Sequence, residues 1–202
     1  MPQLLFYIIP MQTFSLKSRW RSAASVFAGA SVDVFEDSIT VDFAVKESPA
    51  CFRREKEKDG DAVCQDSCVE IFLNMFDKSG RYANFEFNSK GVCYAARGEN
   101  RQNRTELSEE EYAKITRKAG GVSMEGDFYR WTLSVQIPKE LLGVDKGDLR
   151  VFQIEGNLCK CADLAEEPHW LTAFPIKTEK PDFHRPESFD NLNCPSWNRY
   201  GQ

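Results

Sequence analysis

Histidine is scarce in this 202-residue chain, which carries only His169 and His184. A Ser-His-Asp arrangement would need one of them, and no Gly-x-Ser-x-Gly turn exists to present a nucleophile. Each histidine lies close to a proline and reads as packed, hydrogen-bonded loop structure rather than as a metal or proton-transfer residue. Basic charge is not in excess either. A net charge of -5 argues against nucleic acid or an anionic membrane as partner, because both call for a concentrated cationic face. Long apolar runs are also missing: Leu4 to Ile9 is far shorter than the roughly 18 residues of a membrane span. With no positive region before that run and no small-residue cleavage site after it, Met1 to Pro10 reads as a strand. The chain is accordingly expected to be soluble and cytoplasmic, or extracellular if the true start lies upstream. Neither an internal repeat nor a linker is visible, so residues 1–202 read as one domain.

Cysteine is present but lacks the pattern of a disulfide scaffold. Seven is an odd number, the chain is large for such a scaffold, and several cysteines sit in strand-like apolar surroundings, which points to reduced core thiols. Cys64 and Cys68 are four apart and Cys159 and Cys161 two apart, which raises zinc. The Cys159-x-Cys161 spacing is read as sending its two side chains to opposite faces of a strand, which does not suit chelation, and no metal is assigned. Haem ligation would draw on the two histidines with Met75 or Met124, but no attachment motif is present.

What the chain does have is aromatic, alternating sequence. Fifteen phenylalanines, 12% aromatic and 42% apolar residues favour strands and a substantial core. The organising stretch is Asp66 to Asn88, expected to be a β-hairpin: Cys68 to Leu73, a turn at Asp77-Lys78-Ser79-Gly80, and Tyr82 to Asn88. Alternation puts Val69, Ile71 and Leu73 on one face and Cys68, Glu70 and Phe72 on the other, with Asn84, Glu86 and Asn88 forming a polar stripe on the second strand. Those carboxylates either point to water from a wet sheet face or line a concave face that hydrogen-bonds a polar ligand such as a sugar while aromatic rings cover its apolar faces. A pair such as Glu70 and Glu86 could also serve a glycosidase if the two flanked a cleft; with no other catalytic constellation, no catalytic residue is assigned. Strands are further expected over Val26–Phe35, Ile39–Val45, Gly91–Arg97, Phe128–Ile137 and Leu149–Ile154, the last continuing to Cys161. Ser108 and Glu111 form a capping box that opens a helix running to about Arg117, which Gly120-Gly121 breaks. The charged run Glu47–Asp61 reads as solvated surface. Several strands, one or two short helices and no β-α alternation indicate an all-β antiparallel sandwich.

Three separated segments carry a resemblance: Asp66-Ser67-Cys68-Val69-Glu70-Ile71-Phe72-Leu73, Asn84-Phe85-Glu86-Phe87-Asn88, and Pro181-Asp182-Phe183-His184-Arg185-Pro186 before Phe189. In this order they resemble a single-domain branch of the family 9 carbohydrate-binding modules, over roughly Val26 to Leu192. The resemblance implies a DOMON-like β-sandwich that binds mono- or oligosaccharides without catalysis, between two aromatic rings, with calcium bound structurally. It makes Glu70 a contact to sugar hydroxyls and sets Phe183 near the second stacking ring. Glu86 stands about where the family has a sugar-contacting arginine. Cys64 falls where the family places its other stacking tryptophan, so Trp170 or Tyr82 is the expected substitute. Asn84, His184 and Arg185 complete the expected site, with Arg97 and Arg101 as contacts for an anionic group. A protein-interaction domain that has lost sugar binding is the alternative.

Overall fold

The computed structural model describes residues 11–20 and 25–193; the strand expected over Met1 to Pro10 lies outside them. Its strands are β1 (Gln12–Ser18), β2 (Val26–Val34), β3 (Ser38–Glu47), β4 (Cys68–Asn74), β5 (Tyr82–Asn88), β6 (Cys93–Gly98), β7 (Arg104–Glu106), β8 (Thr116–Glu125), β9 (Phe128–Pro138), β10 (Glu155–Cys161), β11 (Trp170–Thr172) and β12 (Asp190–Asn191). The order is β7-β6-β5-β4-β10-β11-β1-β2-β3-β9-β8, with β12 beside β10, and every pairing is antiparallel. β1 makes the fold a sandwich. Its residues 12–16 pair with β2 and its last two with β11, so one strand carries the sheet from one layer to the other.

The main core lies between the layers and follows the period of two that strands impose. Val69, Ile71 and Leu73 from β4 and Phe85 and Phe87 from β5 meet Val41 and Phe43 from β3 and Trp131, Leu133 and Val135 from β9. A second cluster forms on the outer face of the β4–β5–β10 layer, where Cys68, Phe72, Tyr82, Cys159 and Cys161 are covered by Phe183, Ile176 and Trp20 from outside the sheet. That outer face carries the candidate site.

A buried ionic group ties the layers together. Glu47 at the end of β3 and Lys160 in β10 are both fully buried and lie 3.0 Å apart. Glu47 Oε1 also accepts from Ser67 Oγ at 2.8 Å and Trp131 Nε1 at 2.6 Å. Lys160 donates to the Cys161 carbonyl at 2.9 Å and meets His169 Nε2 at 2.8 Å. His169 Nδ1 faces the Glu167 carbonyl at 3.1 Å; a carbonyl only accepts, so Nδ1 carries the proton and Nε2 is free to accept from Lys160.

Three expected elements differ. The capping box at Ser108 and Glu111 forms, but its helix, α1, spans only Glu109–Tyr112, and Thr116 already belongs to β8. The sequence reads there as helix and break because none of the strand's residues is buried: an edge strand needs no buried face, and Gly120-Gly121 makes a bulge in it, with Gly121 at φ +78°. Leu149–Val151 is a 3-10 turn, which the Asp148 carboxylate caps by accepting from Arg150 N, and the strand starts only at Glu155. β1 was missed as a strand because Leu16 is its only buried residue.

Candidate functional site

The register of β10, β4, β5 and β6 brings Cys159, Glu70, Glu86 and Tyr94 into one row across the outer face. Glu70 and Glu86 are direct cross-strand neighbours, 4% and 5% exposed, so Glu86 is not the solvated side chain of a wet face. Like charges directly opposite repel. Burial, and then the neighbouring Glu86, hold the Glu70 carboxyl well above the usual carboxylate range. Burial likewise pushes Glu86 up to about 7, against the opposing pull of Arg104. The remaining contacts are neutral: Glu70 Oε1 accepts from Cys161 Sγ at 3.1 Å and Glu86 Oε1 from Asn84 Nδ2 at 2.8 Å.

Above this floor lies a cavity of about 480 Å³, within the size range of small-molecule sites. Four regions wall it. The turn before β4 supplies Gly60, Ala62 and Cys64, the loop between β6 and β7 supplies Arg101 with Arg104 at the start of β7, the end of β10 and β11 give Cys161, Asp163 and Trp170, and the proline-rich segment gives Pro181 to His184. Arg104 lies over the Tyr94 ring at 5.7 Å and donates to Asn84 Oδ1 at 2.7 Å. Arg101 pairs with Asp182 at 3.2 Å. The Trp170 indole N–H donates to Asp163 at 2.8 Å, which fixes a half-buried ring at the edge of the cavity.

The other members of the motifs hold this floor in place. Asp66 accepts from the backbone N–H of Glu55 and Lys56 at 2.9 and 2.7 Å, which clamps the charged run against the sheet. Ser67 reaches Glu47. Asn88 donates to the Lys56 carbonyl and accepts from Lys90 and Val92 N, shaping the turn into β6.

Of the expected site residues, Glu70, Glu86, Arg101, Trp170, Phe183 and His184 line the cavity, and Asn84 stands directly behind Glu86. Arg97 does not. It falls on the opposite face of β6 from Tyr94, level with core residues, and pairs with Glu111. Arg185 is outside the lining too, bound to Asp182 at 2.8 Å. Phe183 reaches the cavity with little surface to offer, being 5% exposed and packed against Trp20 and Phe72. Tyr82 is fully buried, its hydroxyl 2.8 Å from His184 Nδ1, so it provides no free ring. Burial, reinforced by Arg104 and Arg101, lowers the His184 pKa to about 3. Arg104, Tyr94 and Asp163 were not singled out for the site, since each lies outside the hairpin and only register and loop packing bring it there.

The matched residues of the second cluster correct one expectation. Residues two apart on a strand share a face, and Cys159 and Cys161 both point into the outer cluster. Cys51, Cys64, Cys68, Cys93, Cys159 and Cys161 are all free thiols. The haem ligands do not assemble: Met75 lies in the main core, Met124 is exposed on β8, and His169 is held by Lys160. Calcium takes six to eight oxygen ligands. Among the described residues no three carboxylates come within 4.8 Å of one another, so a calcium ion here would draw on backbone and amide carbonyls as well.

A family model described as carbohydrate-binding family 9 matches residues 20–194. The chain belongs to carbohydrate-binding family 9. Within solved structures, this family 9 chain resembles a provisionally named carbohydrate-binding protein from Bacteroides uniformis, with a TM-score of 0.77 and 27% identity over 90% of this chain and 84% of that one. A family 9 module from Caldicellulosiruptor kristjanssonii in complex with cellotriose matches at a TM-score of 0.45 and 13% identity, over 80% of this chain and 72% of that one. No curated protein matches the family 9 chain in sequence.

Proposed function

We propose that the cavity on the β4–β5–β10 face binds a mono- or oligosaccharide and performs no chemistry on it. The observation that carries this reading is the make-up of the cavity: acceptor carboxylates on the floor, guanidinium donors on one wall and the Trp170 ring at the edge. Sugar hydroxyls both donate and accept, so they suit Glu86 and Glu70 below and Arg101 and Arg104 beside them. The apolar C–H face of a pyranose suits a flat aromatic surface. In place of the Phe183 and Cys64 positions that the resemblance implied for stacking, Trp170 and Tyr94 are the rings with surface to give.

The placement of the carboxylates supports binding without hydrolysis. A glycosidase needs its two carboxyls on either side of the scissile bond. Glu70 and Glu86 are side by side on the floor of one sheet, so a sugar would lie above both rather than between them.

A thermal-shift panel of mono- and oligosaccharides against the purified chain tests this, because a ligand that binds only the folded state raises its melting temperature. The reading expects a reproducible rise with at least one sugar, diminished in Trp170→Ala. A uniformly flat panel would count against it.

A further inference from the structure

Among the described residues, one cluster of metal-ligating side chains comes within range of a single ion: Cys68, Glu70 and Cys161, whose Sγ, carboxylate oxygen and Sγ atoms all lie within 4.8 Å of one another. We propose that this cluster is a thiolate site for a borderline-soft divalent metal, zinc by preference, set into the floor of the cavity. The proposal does not rest on sugar binding.

Strand register builds the site. Cys68 and Cys161 are directly opposed on β4 and β10, and Glu70 follows Cys68 by two on the same face. A tetrahedral zinc with bond lengths of about 2.3 Å to sulfur and 2.1 Å to oxygen sets its ligand atoms about 3.6 to 3.8 Å apart. The Cys161 Sγ–Glu70 Oε1 separation of 3.1 Å therefore has to open by only about half an ångström. All three residues sit on rigid strands and are buried.

The donor set selects the ion. Two thiols and one carboxylate suit zinc and not calcium or magnesium, which take oxygen. No Lys or Arg pairs with Glu70 among the described residues, so no ion pair has to be broken for its carboxylate to ligate a metal. Three protein ligands leave a fourth position, and Glu70 and Cys161 both line the cavity, so that position faces water or a bound ligand. Ligation requires each thiol to release a proton to solvent, which makes uptake weaken as pH falls.

The test is titration of the full chain, reduced and stripped of metal, with Co²⁺ and then Zn²⁺. One equivalent of Co²⁺ is expected to produce a thiolate-to-metal charge-transfer band that Zn²⁺ bleaches. Cys161→Ser and Glu70→Gln, the second nearly isosteric, each remove a direct ligand and are expected to weaken uptake by at least about 100-fold, the upper end of what is lost with outer-shell partners alone. Cys93→Ala, whose thiol faces the main core, is expected to leave the band intact. Absence of a charge-transfer band at one equivalent, or a band that persists unweakened in both Cys161→Ser and Glu70→Gln, would overturn the proposal.

Discussion

Phe183 and Trp170 divide two jobs that the sequence assigns to one kind of residue. Phe183 is 5% exposed and fills the second cluster, so Phe183→Ala should cost roughly 3–5 kcal/mol of stability, measured as a lowered denaturation midpoint. A loss of ligand in that variant would accordingly report unfolding. Trp170 is half-buried at the edge of the cavity; replacing it with alanine should weaken sugar binding by about tenfold, as expected for one lost aromatic contact, with far less effect on the midpoint. Strand parity made Glu70, Asn84 and Glu86 legible in advance, because which face a residue takes depends only on its neighbours along the strand. The same parity decides between Arg97, which faces Glu111, and Arg104, which faces Tyr94; that distinction was missed because β7 is three residues long and carries no pattern to read.

At the scale of elements, the hairpin β4–β5 and the strands β3 and β9 could be read because one face of each is apolar throughout. β8 could not, since an exposed edge strand and a polar helix look alike without a buried stripe. Of the arginines in and after the loop between β6 and β7, the sequence marked only Arg101 as a possible contact, yet the loop and the start of β7 bring both Arg101 and Arg104 to the cavity. Its closure depends on Gly98, where an added Cβ would stand 1.9 Å from the Asn103 carbonyl oxygen. Gly98→Ala should therefore push β6 and β7 apart and lower sugar affinity by roughly tenfold, the loss expected when charge-assisted hydrogen bonds are displaced. Calorimetry on the variant, with the hairpin and core left unaltered, checks this.

For the whole molecule, the sandwich follows from two apolar faces that must be buried against each other, and the buried Glu47–Lys160–His169 group pins the layers in register behind the site. No motif announced it, because its members are widely separated in sequence and meet only after the layers pack. Burial first and Lys160 second hold the His169 pKa down to about 3; Glu47, 3.7 Å away, and the Glu167 carbonyl are its other polar neighbours. The folded state thus refuses a proton that the unfolded state accepts. This contribution is complete above about pH 6.5 and is lost as pH falls toward 3, at up to about 1.4 kcal/mol per pH unit. His184 adds to this loss and the raised carboxyls of Glu70 and Glu86 oppose it, so the His169 part is the difference between two proteins: between pH 7 and pH 4 the urea midpoint of His169→Gln should fall less, or rise more, than that of the unaltered chain.

The central claim, that this face of the sandwich holds a sugar, is tested most directly by calorimetric titration of the full chain with mono- and oligosaccharides, in parallel with Trp170→Ala and Glu86→Gln. The account predicts saturable binding of at least one sugar at a single site, weakened about tenfold by the loss of the Trp170 ring and measurably by Glu86→Gln. A sugar bound with affinity unchanged in both variants, or no binding heat from any of them, would contradict it.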